Sequence, residues 1–323
     1  MKKLNWGILG TGWIAHEMGE ALMAVNGEIY AVCNVRLAGA QQYAEEFRVQ
    51  KVYGSPDEMF SDENVDIVYI ATPHNLHYEA MLKALKAGKH VFCEKSITVN
   101  SRQLEECAAL AEEKGLVICD GTTLLHMPLY KKLRQIIEEG AIGDVKMVQV
   151  NFGSCKEYDV NNRFFSKELA GGALLDIGVY AVSFARYFMK SRPDVILTMA
   201  NYFETGVDET SGIILKNPDG EMAVIALTMR AKQPKRGVVA GEKGFIEISD
   251  YPRAQRAVIT YTEDGRTEVI EVGSTDAALQ YEVRDMQEYI LNKSGQENLR
   301  IVRDVMDVLT AVRDQWGLVY PFE

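Results

Sequence analysis

The chain has 323 residues, 47% of them apolar and 25% charged, with a net charge of −11. This composition is that of a folded protein, and ~150 residues per domain suggests two domains with real cores. The acidic balance argues against nucleic acid or an anionic membrane as partner, and the apolar runs read as shorter than the ~18 residues that cross a bilayer.

The first part of the chain alternates strands and helices. Leu4–Leu9 reads as a strand, Trp13–Val25 as a helix and Glu28–Asn34 as a strand, followed by strands at Val65–Ala71, His90–Cys93 and Val117–Cys119. Helices fall between them at Gly39–Phe47, Asn75–Ala87 and Ser101–Lys114, the last capped by Asn100 or Ser101. Such βαβ alternation predicts a doubly wound parallel sheet over residues 1–120. Beyond it, helices at Pro128–Glu139 and Ala173–Met189 precede six strands: Val195–Phe203, Thr210–Lys216, Met222–Met229, Phe245–Ser249, Ala257–Thr262 and Thr267–Val272. Turn residues such as Asn217-Pro218-Asp219-Gly220 and Asp264-Gly265 join these strands, predicting a mostly antiparallel sheet backed by helices. Helices at Ala278–Leu291 and Ile301–Trp316 close a second, α+β domain over residues 121–323. The five cysteines (Cys33, Cys93, Cys107, Cys119, Cys155) form no CxxC pair, and Gly7, Gly10, Gly12 and His16 interrupt any signal-peptide core. Reduced thiols and a cytoplasmic location are expected.

Four motifs carry chemistry. Gly10-Thr11-Gly12-Trp13-Ile14-Ala15 follows a strand and opens a helix. There the first glycine serves the turn, the second gives a pyrophosphate access to the backbone, and Ala15 lets helix pack on strand. After the second strand, Cys33-Asn34-Val35-Arg36 lacks the acid that would hold the ribose 2′-hydroxyl of NAD. Arg36 reads either as a contact to the 2′-phosphate of NADP or as a solvated loop charge, and the balance favours NADP. Thr72-Pro73-His74-Asn75-Leu76-His77 ends the Val65 strand on the edge where α/β sheets bind ligands, with Asn75 also readable as a helix cap. His74 and His77 lack further ligands at metal-site spacing, so no metal is expected. Glu94-Lys95-Ser96 ends the next strand on the same edge, where Lys95 reads as a substrate-oxygen ligand or as half of a surface pair with Glu94. Finally, Gly171-Gly172-Ala173-Leu174-Leu175-Asp176-Ile177-Gly178-Val179-Tyr180 opens a helix. It puts Asp176 and Tyr180 about one turn apart on one face, as an acid–base pair or as a dipole complement beside a core tyrosine.

Together and in this order, the four motifs resemble the Gfo/Idh/MocA family of NAD(P)-dependent oxidoreductases over essentially the whole chain. Ala170–Tyr180 and Glu204-Thr205-Gly206-Val207-Asp208-Glu209 are similar to the dihydrodiol dehydrogenase branch. The resemblance implies a Rossmann domain, an open-faced second sheet used in a homodimer or homotetramer, and an active site between the domains. It implies that Lys95 and Tyr180 are the catalytic pair, that Asp176 assists, and that a small secondary alcohol or ketone (a sugar, polyol or cyclic diol) is the substrate. A dinucleotide-sensing protein without catalysis is the alternative reading. Three departures stand out. Ser96 replaces the family proline, which predicts a trans Lys95–Ser96 bond and a re-aimed lysine, because a non-proline cis bond costs ~3 kcal/mol. Asn75 is displaced by one residue from the family position. Asp120–Leu125 departs from the branch's substrate pocket, leaving His126 and Arg163 as candidates to line a different one, Arg163 being equally able to pair with a local carboxylate.

Overall fold

The structure, a computed structural model, describes residues 3–323, which divide into two compact units. Unit 1 takes the chain up to Gly121 together with Leu279–Arg300, and unit 2 takes Thr122–Ala278 and Ile301–Glu323.

Unit 1 contains β1 (Asn5–Leu9), α1 (Trp13–Ala24), β2 (Glu28–Cys33), α2 (Leu37–Phe47), β3 (Lys51–Tyr53), α3 (Pro56–Ser61), β4 (Ile67–Ile70), α4 (His77–Lys86), β5 (His90–Cys93), α5 (Ser101–Lys114) and β6 (Ile118–Asp120). The strands form one sheet in the order β3-β2-β1-β4-β5-β6, every neighbouring pair parallel. Continuous burial of Ala31–Cys33, Ile67–Ile70 and Val91–Cys93 is what a parallel sheet covered on both faces requires. Because β1 sits between β2 and β4, the strand order reverses at its carboxyl end, the place where open α/β sheets bind ligands. Asn100 caps α5, its Oδ1 accepting from the Gln103 amide at 2.9 Å. Two elements are additional to the sequence reading. β3 is three residues long and mostly exposed, and α3 is six residues long, so neither carries a buried periodicity.

The return of Leu279–Arg300 to unit 1 also departs from reading domains along the chain. The helix α8 (Ala278–Asn292, following α6 and α7 below) buries Leu279, Val283 and Met286. Its Glu282 acts electrostatically on Tyr69 of β4, and Cys119 of β6 acts on its Tyr289.

Unit 2 contains α6 (Pro128–Glu138), β7 (Val145–Ser154), α7 (Val179–Phe188), β8 (Val195–Tyr202), β9 (Asp208–Lys216), β10 (Met222–Thr228), β11 (Lys232–Gly241), β12 (Gly244–Ser249), β13 (Arg256–Tyr261) and β14 (Thr267–Glu271). Its eight strands run in the order β14-β13-β12-β11-β7-β10-β9-β8, antiparallel except for the β7–β10 pair. β7 and β11 add to the strands read from sequence. β11 holds Pro234 and three basic residues, and its pairing with β7 is irregular between Gln233 and Arg236, as a proline inside a strand demands. One sheet face buries Ile213, Leu215, Ala223 and Ile225, while Leu197, Ile214 and Val224 of the other face are exposed. The final helix α9 (Gln296–Trp316) reaches β8, where Trp316 Nε1 donates to Thr198 Oγ1 at 3.1 Å. One helical run, Lys167–Phe188, is long and apolar enough to cross a membrane, contrary to the expectation from apolar run lengths. It is 83% buried inside the fold, which is how a core helix passes the same test.

Candidate functional site

At the carboxyl end of β1, Gly10 adopts φ +96° and its amide donates to the Cys33 carbonyl at 2.9 Å. A β-carbon here would stand 2.6 Å from the Ala71 carbonyl oxygen, so the loops after β1, β2 and β4 close together only over glycine. Gly12 is different: its backbone is extended, and a β-carbon would meet nothing within 4 Å. Its face is open, at the N-terminus of α1, where backbone N–H groups await an acceptor. Trp13 is exposed, Ile14 half-buried and Ala15 fully buried, with the Ala15 carbonyl accepting from Tyr43 at 2.8 Å.

After β2, the Asn34 amide group donates to Thr11 Oγ1, and its Oδ1 accepts from the Arg36 backbone amide at 3.1 Å. Asn34 thereby ties the second-strand loop to the glycine turn. Arg36 is exposed and stands at the N-cap of α2.

The ends of β4 and β5 are braced together. His77 is fully buried, with Nε2 2.8 Å from the Thr72 carbonyl oxygen and Nδ1 2.9 Å from the Ser96 carbonyl oxygen. His74 Nε2 lies 3.2 Å from the Lys95 carbonyl oxygen. Both ring nitrogens of His77 lie against backbone carbonyls, so this residue pins two loops to each other. The Lys95–Ser96 bond is cis, correcting the expected trans geometry. Carbonyls on both sides of it are engaged by the two histidines, and Ser96 is fully buried. Asn75 makes no cap: α4 begins at His77 behind Leu76 without a side-chain cap bond.

Glu94 is buried beneath this turn, its Oε1 accepting from Tyr69 at 2.5 Å. Burial pushes its carboxyl up to about 7, against the Tyr69 bond and the Lys95 charge, which favour ionisation, while the Asp120 charge adds to the rise. Lys95 beside it is half-buried. Glu94 is therefore a core acid bonded to tyrosine rather than the surface partner its sequence position also allowed. Tyr69 escaped the sequence reading; its only signal is a lone phenol in the apolar run Val65–Ala71.

In unit 2, Leu174–Gly178 forms a π-helical turn that runs directly into α7. A π turn takes an i→i+5 hydrogen-bond step, so Asp176 and Tyr180 stand slightly less than one turn apart. Asp176 is buried, and Arg163 Nη2 approaches its Oδ1 at 3.9 Å while the guanidinium lies over the Phe164 ring at 4.2 Å. Of the two readings of Arg163, pairing with a local carboxylate has the geometry. Tyr180 is half-buried, its ring 6.3 Å from that of Phe152, over which Lys235 Nζ lies at 5.1 Å. His126 is buried behind the short 3-10 turn Thr123–Leu125.

Within unit 1, the structure thus gathers the glycine turn, Asn34, Thr72–His74 and Glu94–Lys95 at one sheet edge. Within unit 2, it gathers Asp176, Tyr180 and Arg163. A dinucleotide fits the first set on two observations. The Gly12 face is open, and Thr72 Oγ1 and Asn75 Oδ1 are buried without a hydrogen-bond partner among the described residues. Orphaned buried polar atoms beside an open helix N-terminus await acceptors and donors from a ligand.

Comparison with known proteins agrees. Residues 4–122 match the oxidoreductase family with an NAD-binding Rossmann fold, and residues 130–247 match the GFO/IDH/MocA C-terminal domain. A trans-1,2-dihydrobenzene-1,2-diol dehydrogenase of Xenopus laevis is 30% identical over 98% of this chain and 99% of its own. The mouse protein of that name is 33% identical over 76% of this chain and 74% of its own. Among solved structures, a 3-ketoreductase from Actinomadura kijaniata, in complex with NADP and TDP-benzene, superposes with a TM-score of 0.85 at 24% identity, covering 97% of this chain and 98% of its own. With both halves matched in sequence and the fold shared, the chain belongs to the Gfo/Idh/MocA family of NAD(P)-dependent oxidoreductases.

Proposed function

We propose that the protein interconverts a secondary alcohol and its ketone on a sugar, polyol or cyclic diol. The observation that carries this reading is the carboxyl edge of the unit 1 sheet, where the open glycine turn follows β1 and Lys95 follows β5, on either side of β4. The relatives support the substrate class: the frog and mouse proteins are named for a cyclic diol. Gly10, Gly12, Trp13, Ile14 and Ala15 would hold the pyrophosphate end of the dinucleotide, Asn34 and Arg36 its ribose, and Thr72, Pro73, His74 and Asn75 the nicotinamide end. The nicotinamide, when bound, accepts or gives the hydride. Tyr180 takes the proton from the substrate hydroxyl during oxidation and returns it to the carbonyl oxygen during reduction. A free tyrosine titrates at ~10, so this duty needs a cation that favours phenolate, and the Lys95 ammonium has that chemistry. Asp176 orients the lysine or the substrate. Solved forms of the Actinomadura 3-ketoreductase include one with a tyrosine changed to phenylalanine and another with a lysine changed to alanine, the same two residue types. A turnover screen across sugars, inositols and diols with NAD and NADP tests the class. Tight dinucleotide binding with turnover of none of them would overturn it.

NADP is the favoured cofactor in this reading. Arg36 is exposed beside Asn34, and no carboxylate stands at the end of β2 to repel a 2′-phosphate. Arg36→Ala should weaken NADP by ~1–2 kcal/mol, the worth of a charge-assisted bond, and leave NAD unchanged. Titration of both dinucleotides against tryptophan fluorescence checks this, and tighter binding of NAD by the unaltered protein would refute it.

A homo-oligomer working in the cytoplasm belongs to the same proposal, and the exposed face of the unit 2 sheet supports the oligomer. Leu197 of β8 pairs with Ile214 of β9, which pairs with Val224 of β10, making an apolar row across three strands. Met199 beside it is 78% exposed. Contiguous exposed apolar surface on a sheet is typical of an interface, and a second copy of the same face covers it by two-fold symmetry. Light scattering should give at least a dimer mass, and Leu197→Glu with Val224→Glu should shift it toward the monomer.

A further inference from the structure

We infer that Asp208 is a positioning residue for the reaction, its buried carboxylate fixing the Gly171–Leu174 turn from which Asp176 and Tyr180 are presented; this rests on the reading of Tyr180 as the proton-transfer group. Asp208 opens β9 and is fully buried. Its Oδ2 accepts from the Leu174 amide at 2.7 Å, at the first residue of the π-helical turn. Its Oδ1 has no hydrogen-bond partner among the described residues and faces Gly172. A β-carbon at Gly172 would stand 2.1 Å from that oxygen, and Gly172 itself adopts φ +114°. The aspartate and the glycine are therefore matched: no other residue at 172 leaves room for the carboxylate where it sits. Tyr320 holds the same turn from the chain's end, donating to the Gly171 carbonyl at 2.8 Å.

A helix start needs no such arrangement. A serine or asparagine on the surface would cap it, whereas a carboxylate half-unpaired in the core costs free energy that the fold must offset. Burial pushes Asp208 up to about 7, against the backbone amides of Leu174, Asp208 and Ala173 and the Arg313 charge. Arg313 of α9, Tyr320 beyond it and Tyr202 of β8 are the titratable or charged groups facing it, with Glu323 paired to Arg313. The return is rigidity at a defined point. Asp176 follows the turn by two residues and Tyr180 by six, and at ~1.5 Å rise per residue a tilt at Leu174 is carried ~9 Å along the helix to Tyr180. A misplacement of ~1 Å in a reacting group costs ~10²-fold in rate.

The test uses the full chain with Asp208→Asn, which keeps the shape and one acceptor but removes the charge. Peptides spanning residues 171–180 should exchange amide hydrogens faster, and kcat at pH 8 should fall by roughly 10–10²-fold with KM and dinucleotide affinity held. Wild-type kcat should descend toward the Asp208→Asn value as pH drops through about 7, since protonation weakens the same acceptor, while the variant loses that inflection. Tyr320→Phe, a milder change, should move exchange and kcat in the same direction by less. Unchanged exchange in both variants, or faster exchange with wild-type kcat, overturns the inference. Full turnover by Tyr180→Phe would instead sink the catalytic reading, and the exchange data would still decide whether Asp208 fixes the turn.

Discussion

Tyr180→Phe should abolish most turnover while leaving the fold and dinucleotide affinity nearly intact. The change removes one hydroxyl from a half-buried ring that packs near Phe152, so the apolar contact survives. General acid–base help is worth ~10²–10⁴-fold, and that is the loss expected in kcat. Lys95→Met should be comparably damaging, because in the proposed reaction its ammonium is the charge that favours the ionised phenol. The double variant is the decisive measurement. Groups that share one proton-transfer task are strongly non-additive, so it should be little worse than either single change. Losses that simply multiply would mean that the two side chains act independently, and the shared step would be wrong.

The second large effect separates two glycines that look alike in sequence. Gly10→Ala places a β-carbon 2.6 Å from a backbone oxygen at a φ of +96°. Neither the carbonyl nor the dihedral can yield cheaply, and a non-glycine residue there costs ~1–3 kcal/mol from the backbone alone. At ~2–4 °C per kcal/mol for a domain of this size, Tm should fall by roughly 5–10 °C, and dinucleotide affinity should fall with it. Gly12→Ala meets nothing within 4 Å and has ordinary backbone angles, so Tm should not move. Its new methyl points into the open face at the helix N-terminus, so affinity for either dinucleotide should drop by about tenfold or more, the equivalent of ~1.4 kcal/mol. Thermal scans of the two apoproteins, followed by binding titrations, give both numbers. A destabilised Gly12→Ala protein, or one that binds as well as wild type, would remove the pyrophosphate assignment.

These contrasts mark how far the residues alone carry the reading. The parallel sheet was legible because its strands are short apolar runs, each followed by a turn whose chemistry is local, as in Gly10-Thr11-Gly12. The strand ends bearing Thr72 and Lys95 followed from the same logic. What stayed hidden depends on partners distant in sequence. His77 carries no local sign that both of its nitrogens will be taken by the backbone at Thr72 and Ser96. The cis bond at Lys95 runs against the intrinsic preference of a Lys-Ser pair and is found where two histidines bond the neighbouring carbonyls. Asp208 was visible only inside a run resembling a known branch; its tie to Leu174 spans 34 residues. β11 was left unassigned because Pro234 and its basic neighbours interrupt any apolar strand pattern, yet it sits in mid-sheet between β7 and β12.

The return of Leu279–Arg300 to unit 1 has a consequence for the protein's synthesis. Leu279, Val283 and Met286 are part of the dinucleotide-binding unit, but they leave the ribosome only after the entire antiparallel sheet has been made. Vectorial folding in the order of translation therefore does not complete the first unit first: its core stays open over much of elongation, with apolar surface awaiting a helix encoded near the 3′ end of the message. A fragment ending at Gly121 would carry every dinucleotide-facing motif and still lack the helix that seals it.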